Sequence, residues 1–386
     1  MRVGPARGLQ EHSGMRYVIL GCTLLAGSLV LPAGSAEPRS VQSGAGTITV
    51  ETLASGLDHP WGMAFLPDGR LLVTERAGSL RILGTDGKLS DPVPGTPEVV
   101  ARGQGGLLDV ALAPDFASSR LVYLSFAEPG DGGASTAVGR GKLRDGRLGD
   151  FEVVFSQRPK VSGENHFGGR IVFTPDGSFF LTTGERFKFD PAQDLTNHLG
   201  TVVRLAPDGS APPDNPFVGR DDAQPEIWSY GHRNIEAAAL HPGTKKLWIA
   251  EMGPRGGDEL NLPEAGRNYG WPVVSWGEHY DGRDIPDPPT QPRFADAIKH
   301  WTPVISPSGM IFYTGDRFAD WRGDALIGSL TTKSLVRLEL DGEKVASETR
   351  IALGARIRDV EQGPDGSVYV ITDEDDGSVW RLTPGP

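Results

Sequence analysis

The sequence predicts an all-β fold, a six-bladed β-propeller of four-stranded antiparallel blades, on three observations. The first is a turn signature, Pro-Asp-Gly, followed each time by a short apolar run. It occurs at Pro67-Asp68-Gly69, Pro175-Asp176-Gly177 and Pro364-Asp365-Gly366. Proline presets the first turn residue, aspartate caps the turn and glycine supplies a positive φ, so each copy marks a hairpin. The second is composition: 52 glycines and 31 prolines among 386 residues fall between strand-like runs, which makes them turn residues. Spread aperiodically, the same content would suggest disorder. The third is length, since blades of roughly 50–60 residues fit about six times into a mature chain of roughly 350.

Taken in chain order, the first segment is a leader. Arg16 precedes an apolar run over residues 17–31, and small residues follow at Ala33-Gly34-Ser35-Ala36. A basic start, an apolar middle and a small-residue end predict a signal peptide over 1–36, with cleavage after Ala36 and a periplasmic or secreted product. Met15 is an alternative start. The run is too short for stable membrane insertion. It also continues past Cys22, which argues against Ile19-Leu20-Gly21-Cys22 as a lipoprotein box. Cys22 is the chain's one cysteine, so the mature protein has neither disulfide nor thiol chemistry. Residues 37–49 read as an N-terminal linker and 50–386 as a single propeller catalytic domain. Removing Arg2, Arg7, Glu11 and Arg16 with the leader takes the formal net charge from −12 to −14. That excludes nucleic acid and anionic membranes as partners and suits Ca²⁺ and neutral substrates.

The strands after the three signatures are Leu71–Glu75, Phe179–Thr183 and Val368–Thr372. Weaker turns stand at Ala113-Pro114-Asp115 and at His241-Pro242-Gly243, the latter before a strand over 247–250. Ile235–Leu240 reads as a short helix by propensity, stopped at His241-Pro242.

Five segments beside these strands concentrate polar and glycine residues, which suits loops on one propeller face. In Gly103–Asp109 (GQGGLLD), glycines let backbone approach a ligand and Gln104 offers a polar contact. In 164–170 (ENHFGGR), His166 is the natural general base near neutral pH. One hairpin later Glu185 returns to the same edge, where a carboxylate orients an imidazole. In 227–234 (IWSYGHRN), Arg233 and Asn234 stand side by side, a planar fork next to an amide. In 251–261 (EMGPRGGDELN), a Gly-Pro turn at Gly253 and Pro254 presents carbonyls, and Asp258 and Glu259 add hard oxygens that suit Ca²⁺. The absence of a cysteine or a suitably spaced histidine pair argues against zinc. In 356–359 (RIRD), strand alternation puts Arg356 and Arg358 on one side, where they fit an anion with several carboxylates or phosphates. Each of these segments also has a plain reading as a turn, a surface charge or a loop brace.

Together and in this order, the five segments resemble the soluble quinoprotein aldose sugar dehydrogenases, relatives of soluble glucose dehydrogenase. The similarity runs from about Leu57 to Leu382. It implies a six-bladed propeller, pyrroloquinoline quinone (PQQ) and Ca²⁺. His166 then matches the base that takes the anomeric proton while hydride passes from C1 to the quinone, and Glu185 stands where the family often has an aspartate. Gln104, Arg233, Asn234, Arg356 and Arg358 match cofactor-binding positions. The carbonyls of Gly253 and Pro254 match the calcium site. Where the family often has a lysine after Ser-Leu, Ser329-Leu330 is followed here by Thr331, with Lys333 as the nearest substitute. Trp301, ahead of Trp276, matches a substrate contact.

The resemblance implies oxidation of aldose sugars at C1 to lactones by a monomer or homodimer. The electron acceptor (quinone, cytochrome or dye) is not specified. A calcium-dependent lactonase of propeller type and a non-catalytic binding propeller are the competing readings. The first leaves Arg356 and Arg358 without a role.

Overall fold

The computed structural model describes residues 37–386 apart from Ala45, and the signal peptide expected over 1–36 lies outside the described residues. Six antiparallel sheets follow one another along the chain as the blades of a propeller. The inner strand of each blade lines the hub. In order these strands are Pro60–Phe65, Leu107–Leu112, Gly168–Phe173, Ile235–Leu240, Pro307–Phe312 and Ile357–Gln362. The second strands are Leu71–Glu75, Leu121–Gly130, Phe179–Thr183, Leu247–Glu251, Ala325–Ser329 and Val368–Thr372. They are mostly apolar and buried, and their side chains fill the layers between neighbouring blades.

The turns form as their sequence dictates. Asp68, Asp176 and Asp365 each accept the N–H two residues on, and Gly69, Gly177 and Gly366 hold φ of 86°, 87° and 77°. Pro207-Asp208-Gly209 is a further copy that the sequence reading passed over; Asp208 accepts the N–H of Ser210 in the same way.

Two blades depart from four strands. The first has three, ending at Ser79–Leu83. The chain beyond carries Pro92, Pro94 and Pro97, and a residue without an N–H cannot continue a ladder. The last blade has five, because Gly46–Leu57 pairs with the C-terminal Gly377–Pro384, and Arg39–Ser43 pairs with Gly46–Leu57 in turn. This closes the ring by joining the chain's two ends in one sheet. Residues 37–49, expected as a linker, therefore carry strand.

Ile235–Leu240 is a correction of the same kind. It is the inner strand of the fourth blade, paired with Leu247–Glu251, and not a helix. Its alanines favour helix locally, but the crowded hub needs small side chains, and tertiary context overrides propensity.

At the hub, Arg170 ties four inner strands. Its guanidinium pairs with Asp359 at 2.8 Å and Asp109 at 3.3 Å, donates to the carbonyls of Glu236 and Arg358, and lies 4.2 Å from the Trp61 ring centroid. Burial pushes the Asp359 carboxyl up to about 7, against the pull of Arg170. A hollow of about 360 Å³ lies beside Asp109, Arg170 and Asp359, and Met63, Ile171, Ala238 and Met310 also line it.

Candidate active site

The loops that enter inner strands and leave second strands meet at one end of the hub, so five segments distant in sequence become neighbours. Gln104 Oε1 accepts the backbone N–H of His166 at 2.6 Å. Asn234 Oδ1 accepts the N–H of Gly168, and its amide nitrogen donates to Glu236. Glu236 also accepts from Arg358 at 2.5 Å. Arg358 and Arg356 both donate to Asp373, at 2.9 and 2.7 Å. Glu185 N donates to the carbonyl of Arg233 at 2.9 Å. A cavity of about 220 Å³ lies among these groups. Gln104, Met252, Ser306, Arg356, Arg358 and Asp373 are on its wall.

His166 Nδ1 meets Glu185 Oε1 at 2.5 Å. The glutamate is long enough for this geometry because its other oxygen is held from behind, by the N–H of Phe189 at 2.7 Å and that of Lys188. That grip requires a contorted loop. Arg186, Phe187 and Phe189 take φ of 59°, 58° and 65°, a region that bulky residues rarely adopt. Arg186 anchors the loop. It is fully buried, lies 3.5 Å from the Phe167 ring centroid, and donates to the carbonyls of Gly163, Ala134 and Asn165.

Burial lowers the pKa of His166, and the Arg233 charge lowers it further, against the raising effect of Glu185. The ring is therefore neutral near pH 7. Burial works against the Glu185 carboxylate, but the bond to His166 and the N–H of Phe189 hold its pKa below the usual range. An anionic partner on Nδ1 leaves the proton there and the lone pair on Nε2.

Arg358 is buried, which opposes its charge, yet Asp373 and Glu236 hold it firmly protonated. Asp373 in turn sits well below the usual carboxylate range; burial would raise it, and Arg358 and Arg356 more than offset that. The buried Nε atoms of Arg358 and of Arg233 have no hydrogen-bond partner among the described residues. Unpaired donors on buried cations call for an acceptor from a ligand.

Around Gly253 the loop is shaped by Asp258. This carboxylate is consumed by the N–H groups of Gly253, Ile305 and Ser306 at 2.9, 2.8 and 2.6 Å, and burial lifts it to about 6. Glu259 receives Asn261 at 3.0 Å and is pushed up to about 8 by burial and by Glu251. Among the described residues no three His, Cys, Asp or Glu side chains form a metal cluster. Asp258, expected as a side-chain calcium ligand, spends both oxygens on these N–H groups and braces the loop. The carbonyl of Gly253 instead accepts from Arg233 at 2.6 Å, which shows that it faces a cation.

Two other expected residues are not brought to the cavity. The Trp301 ring is 3% exposed within an apolar cluster, with its indole N–H given to Glu348 at 2.9 Å. It offers no face to a sugar. Lys333 turns its side chain to solvent while its carbonyl binds Leu353 and Gly354. Thr331 lies closer, with Oγ1 2.6 Å from Ser306 Oγ. Sequence reasoning missed Trp61, Glu236 and Asp373, the partners of the arginines. It also missed Phe187 and Tyr280. The rings of these two stand 6.3 Å apart, Phe187 lies edge-on 5.1 Å from the His166 ring, and the Tyr280 hydroxyl accepts from Arg233 at 3.0 Å. The available signal was an aromatic flanked by polar residues, in Arg186-Phe187-Lys188 and in His279-Tyr280-Asp281.

The chain matches the family model for glucose/sorbosone dehydrogenase over residues 57–381. It is 47% identical over 346 residues to the aldose sugar dehydrogenase YliI of Escherichia coli strain K12, covering 88% of this chain and 93% of that one. The crystal structure of the soluble aldose sugar dehydrogenase of Escherichia coli in its apo form superposes with a TM-score of 0.83 at 45% identity, covering 88% of this chain and all of the other. The PQQ-bound form of an aldose sugar dehydrogenase from Streptomyces coelicolor gives 0.70 at 29% identity, over 87% and 98% of the two chains.

Proposed function

The chain belongs to the glucose/sorbosone dehydrogenase family, and from that premise we propose that it is a quinoprotein oxidoreductase oxidising aldose sugars at C1 to lactones, with PQQ and Ca²⁺ as cofactors. The observation that carries this reading is the pairing of a neutral, carboxylate-oriented histidine with buried arginines whose Nε atoms lack partners, at one end of the hub.

The residues fit the cofactor. PQQ is a planar tricarboxylate, and Arg358, Arg356 and Arg233 with Gln104 and Asn234 would hold it. Their donors match carboxylates, and the unpaired Nε atoms of Arg358 and Arg233 supply two. Ca²⁺ would be held by the carbonyls of Gly253 and Pro254, with Glu259 nearby. When bound, the quinone supplies a two-electron acceptor for hydride and Ca²⁺ supplies its polarisation.

The protein's own part is to bind, orient and accept a proton. His166 takes the anomeric hydroxyl proton on Nε2 as the C1–O bond gains carbonyl character and the C1 hydrogen leaves with its electron pair. Glu185 keeps the Nδ1 proton in place and stabilises the imidazolium that forms. Arg170, with its carboxylate partners at the hub, stands against the lactonase reading, which needs carboxylates converging on a central ion. We further propose that residues 1–36 are an export signal, so that the enzyme works in the periplasm or outside the cell. No helix among the described residues is long and apolar enough to cross a membrane.

The test is reconstitution of the purified protein with PQQ and Ca²⁺, followed by dye reduction across an aldose panel. The expected result is a spectral shift on loading and turnover with at least one aldose. A protein that shows neither with any sugar refutes the proposal.

A further inference from the structure

Four large apolar side chains are counted as exposed among the described residues: Val153, Phe187, Val218 and Tyr280. Two of them meet at the candidate site. Phe187 is 38% and Tyr280 62% exposed, whereas Arg233 and Arg358 are 3% and 6%. The aromatic pair is therefore the solvent-side rim, and the arginines lie deeper. Phe189 extends the rim behind Phe187, with ring centroids 5.2 Å apart, and packs on the buried Trp271 at 5.6 Å.

Solvent-exposed phenylalanine in a left-handed conformation carries two costs. Its φ of 58° is strained, and its apolar face stays wet. Residues with both costs cluster where a ligand repays them. The occupant is not the anionic cofactor, because the negative face of an aromatic ring repels carboxylates. A neutral sugar ring has the opposite character: its axial C–H bonds form an apolar face with positive edges, while its hydroxyls point outward. The Phe187 ring lies 5.1 Å from the imidazole that would take the anomeric proton. A ring stacked there keeps its C1 hydroxyl within reach of Nε2.

We infer that Phe187 and Tyr280 form the substrate wall, an aromatic clamp that stacks on the C–H face of a cyclic aldose and sets the preference for its ring geometry. This takes the substrate role first expected of Trp301 and rests on the dehydrogenase reading above. Because Phe187 contacts the base by its ring edge and lends it no hydrogen bond, its loss acts on binding more than on chemistry.

The experiment uses the parent and Phe187→Ala, both loaded with PQQ and Ca²⁺, with D-glucose and D-xylose as probes. Absorbance titration first measures PQQ affinity, and then KM and kcat are read by dye reduction. The expected result is KM raised about tenfold, the loss of one aromatic stack. PQQ affinity should stay unchanged and kcat should fall far less than KM rises. Phe187→Tyr, which keeps a ring, should restore most of KM. A parent-like KM in Phe187→Ala overturns the clamp while leaving the dehydrogenase reading intact. A fall confined to kcat overturns it too, since that marks displacement of His166. A parent that binds PQQ yet oxidises no aldose overturns the functional reading and the clamp with it.

Discussion

Replacing Glu185 with glutamine tests the acid–base assignment at its most constrained point. The carboxylate is fully buried, with one oxygen on His166 Nδ1 and the other on the N–H groups of Lys188 and Phe189. All three partners are donors. Glutamine supplies one acceptor oxygen and one NH₂, so it cannot serve both sides. If its oxygen stays on the backbone N–H groups, its NH₂ points at Nδ1. The imidazole must then accept there, carry its proton on Nε2 and lose the lone pair that makes it a base. If the amide flips, NH₂ faces two N–H donors and the loop opens. The first arrangement costs less, because an unsatisfied buried donor is worth about 1–3 kcal/mol and here two would be left. Stability should fall by about 1–3 kcal/mol from the lost charge-assisted bonds. Turnover should fall about 10²–10⁴-fold, the usual contribution of a positioned base. The assay is kcat by dye reduction on the loaded enzyme, with PQQ affinity measured in parallel to confirm loading. Glu185→Gln turning over within about threefold of the parent would show that Glu185 does not set the tautomer, and His166 would lose its assigned role.

Three further outcomes follow from the same coordinates. Burial lowers the pKa of His166, so kcat/KM should hold through neutral pH and fall as pH drops through a value below the ordinary imidazole 6.5; a fall already centred above 6.5 counts against His166. The same depression makes the folded state prefer neutral His166, so this group's share of stability is lost as pH falls from 6.5 toward the folded value. Asp359, raised to about 7, changes stability in the opposite sense over that range, and kinetics is therefore the cleaner readout. Gly184→Ala places a Cβ 2.0 Å from the His166 carbonyl oxygen; relieving that overlap moves the base by roughly 1 Å, which should cost about a hundredfold in kcat, and a parent-like kcat refutes the tight coupling. Thr331→Lys sets an ammonium beside Ser306 on the cavity wall and should tighten PQQ binding about ten- to a hundredfold, read by absorbance titration. An unchanged or weaker affinity means that the ammonium does not reach the cofactor.

Those features of the fold that depend on adjacent residues were legible in the sequence. Pro-Asp-Gly makes its turn from its own atoms, so three hairpins and the propeller followed from short motifs. The helix expected over Ile235–Leu240 failed because an alanine run has its local preference reversed by a hub that only other strands create. At the site, residue types were legible and directions were not. Gln104, His166, Glu185, Arg233, Asn234, Arg356 and Arg358 do converge. Trp301 and Lys333 carry suitable chemistry, but one is turned into a core and the other to solvent. Glu236 comes from a different blade than Arg358, which it holds, and no spacing along the chain signals that; Asp373 stands one hairpin after Arg356 and Arg358, in their own blade.

The propeller repeat explains why a histidine beside a carboxylate is not by itself a base. His166 and Glu185 lie 19 residues apart, and so do His232 and Glu251. Each histidine precedes an inner strand and each glutamate sits at or just past the end of the second strand of the same blade, so the same device occurs at two successive positions around the ring. What separates them is the second ring nitrogen. His232 is fully buried, gives Nδ1 to Glu251 at 2.8 Å, has Ser229 Oγ on Nε2 at 2.9 Å, and stacks on Tyr269 at 4.6 Å. Its Glu251 also accepts the N–H of Arg233 at 2.7 Å, and the Arg233 carbonyl receives Glu185 N. The closed pair is thus the frame on which the open pair is mounted. The two should separate in mutation. His232→Ala strands two buried partners and should lower stability by about 2–4 kcal/mol, seen as a lower Tm. His166→Ala strands one and should lower Tm much less while removing most of kcat. Equal losses of Tm in the two variants would mean that His166 is structural as well, and the division of labour between the pairs would fail.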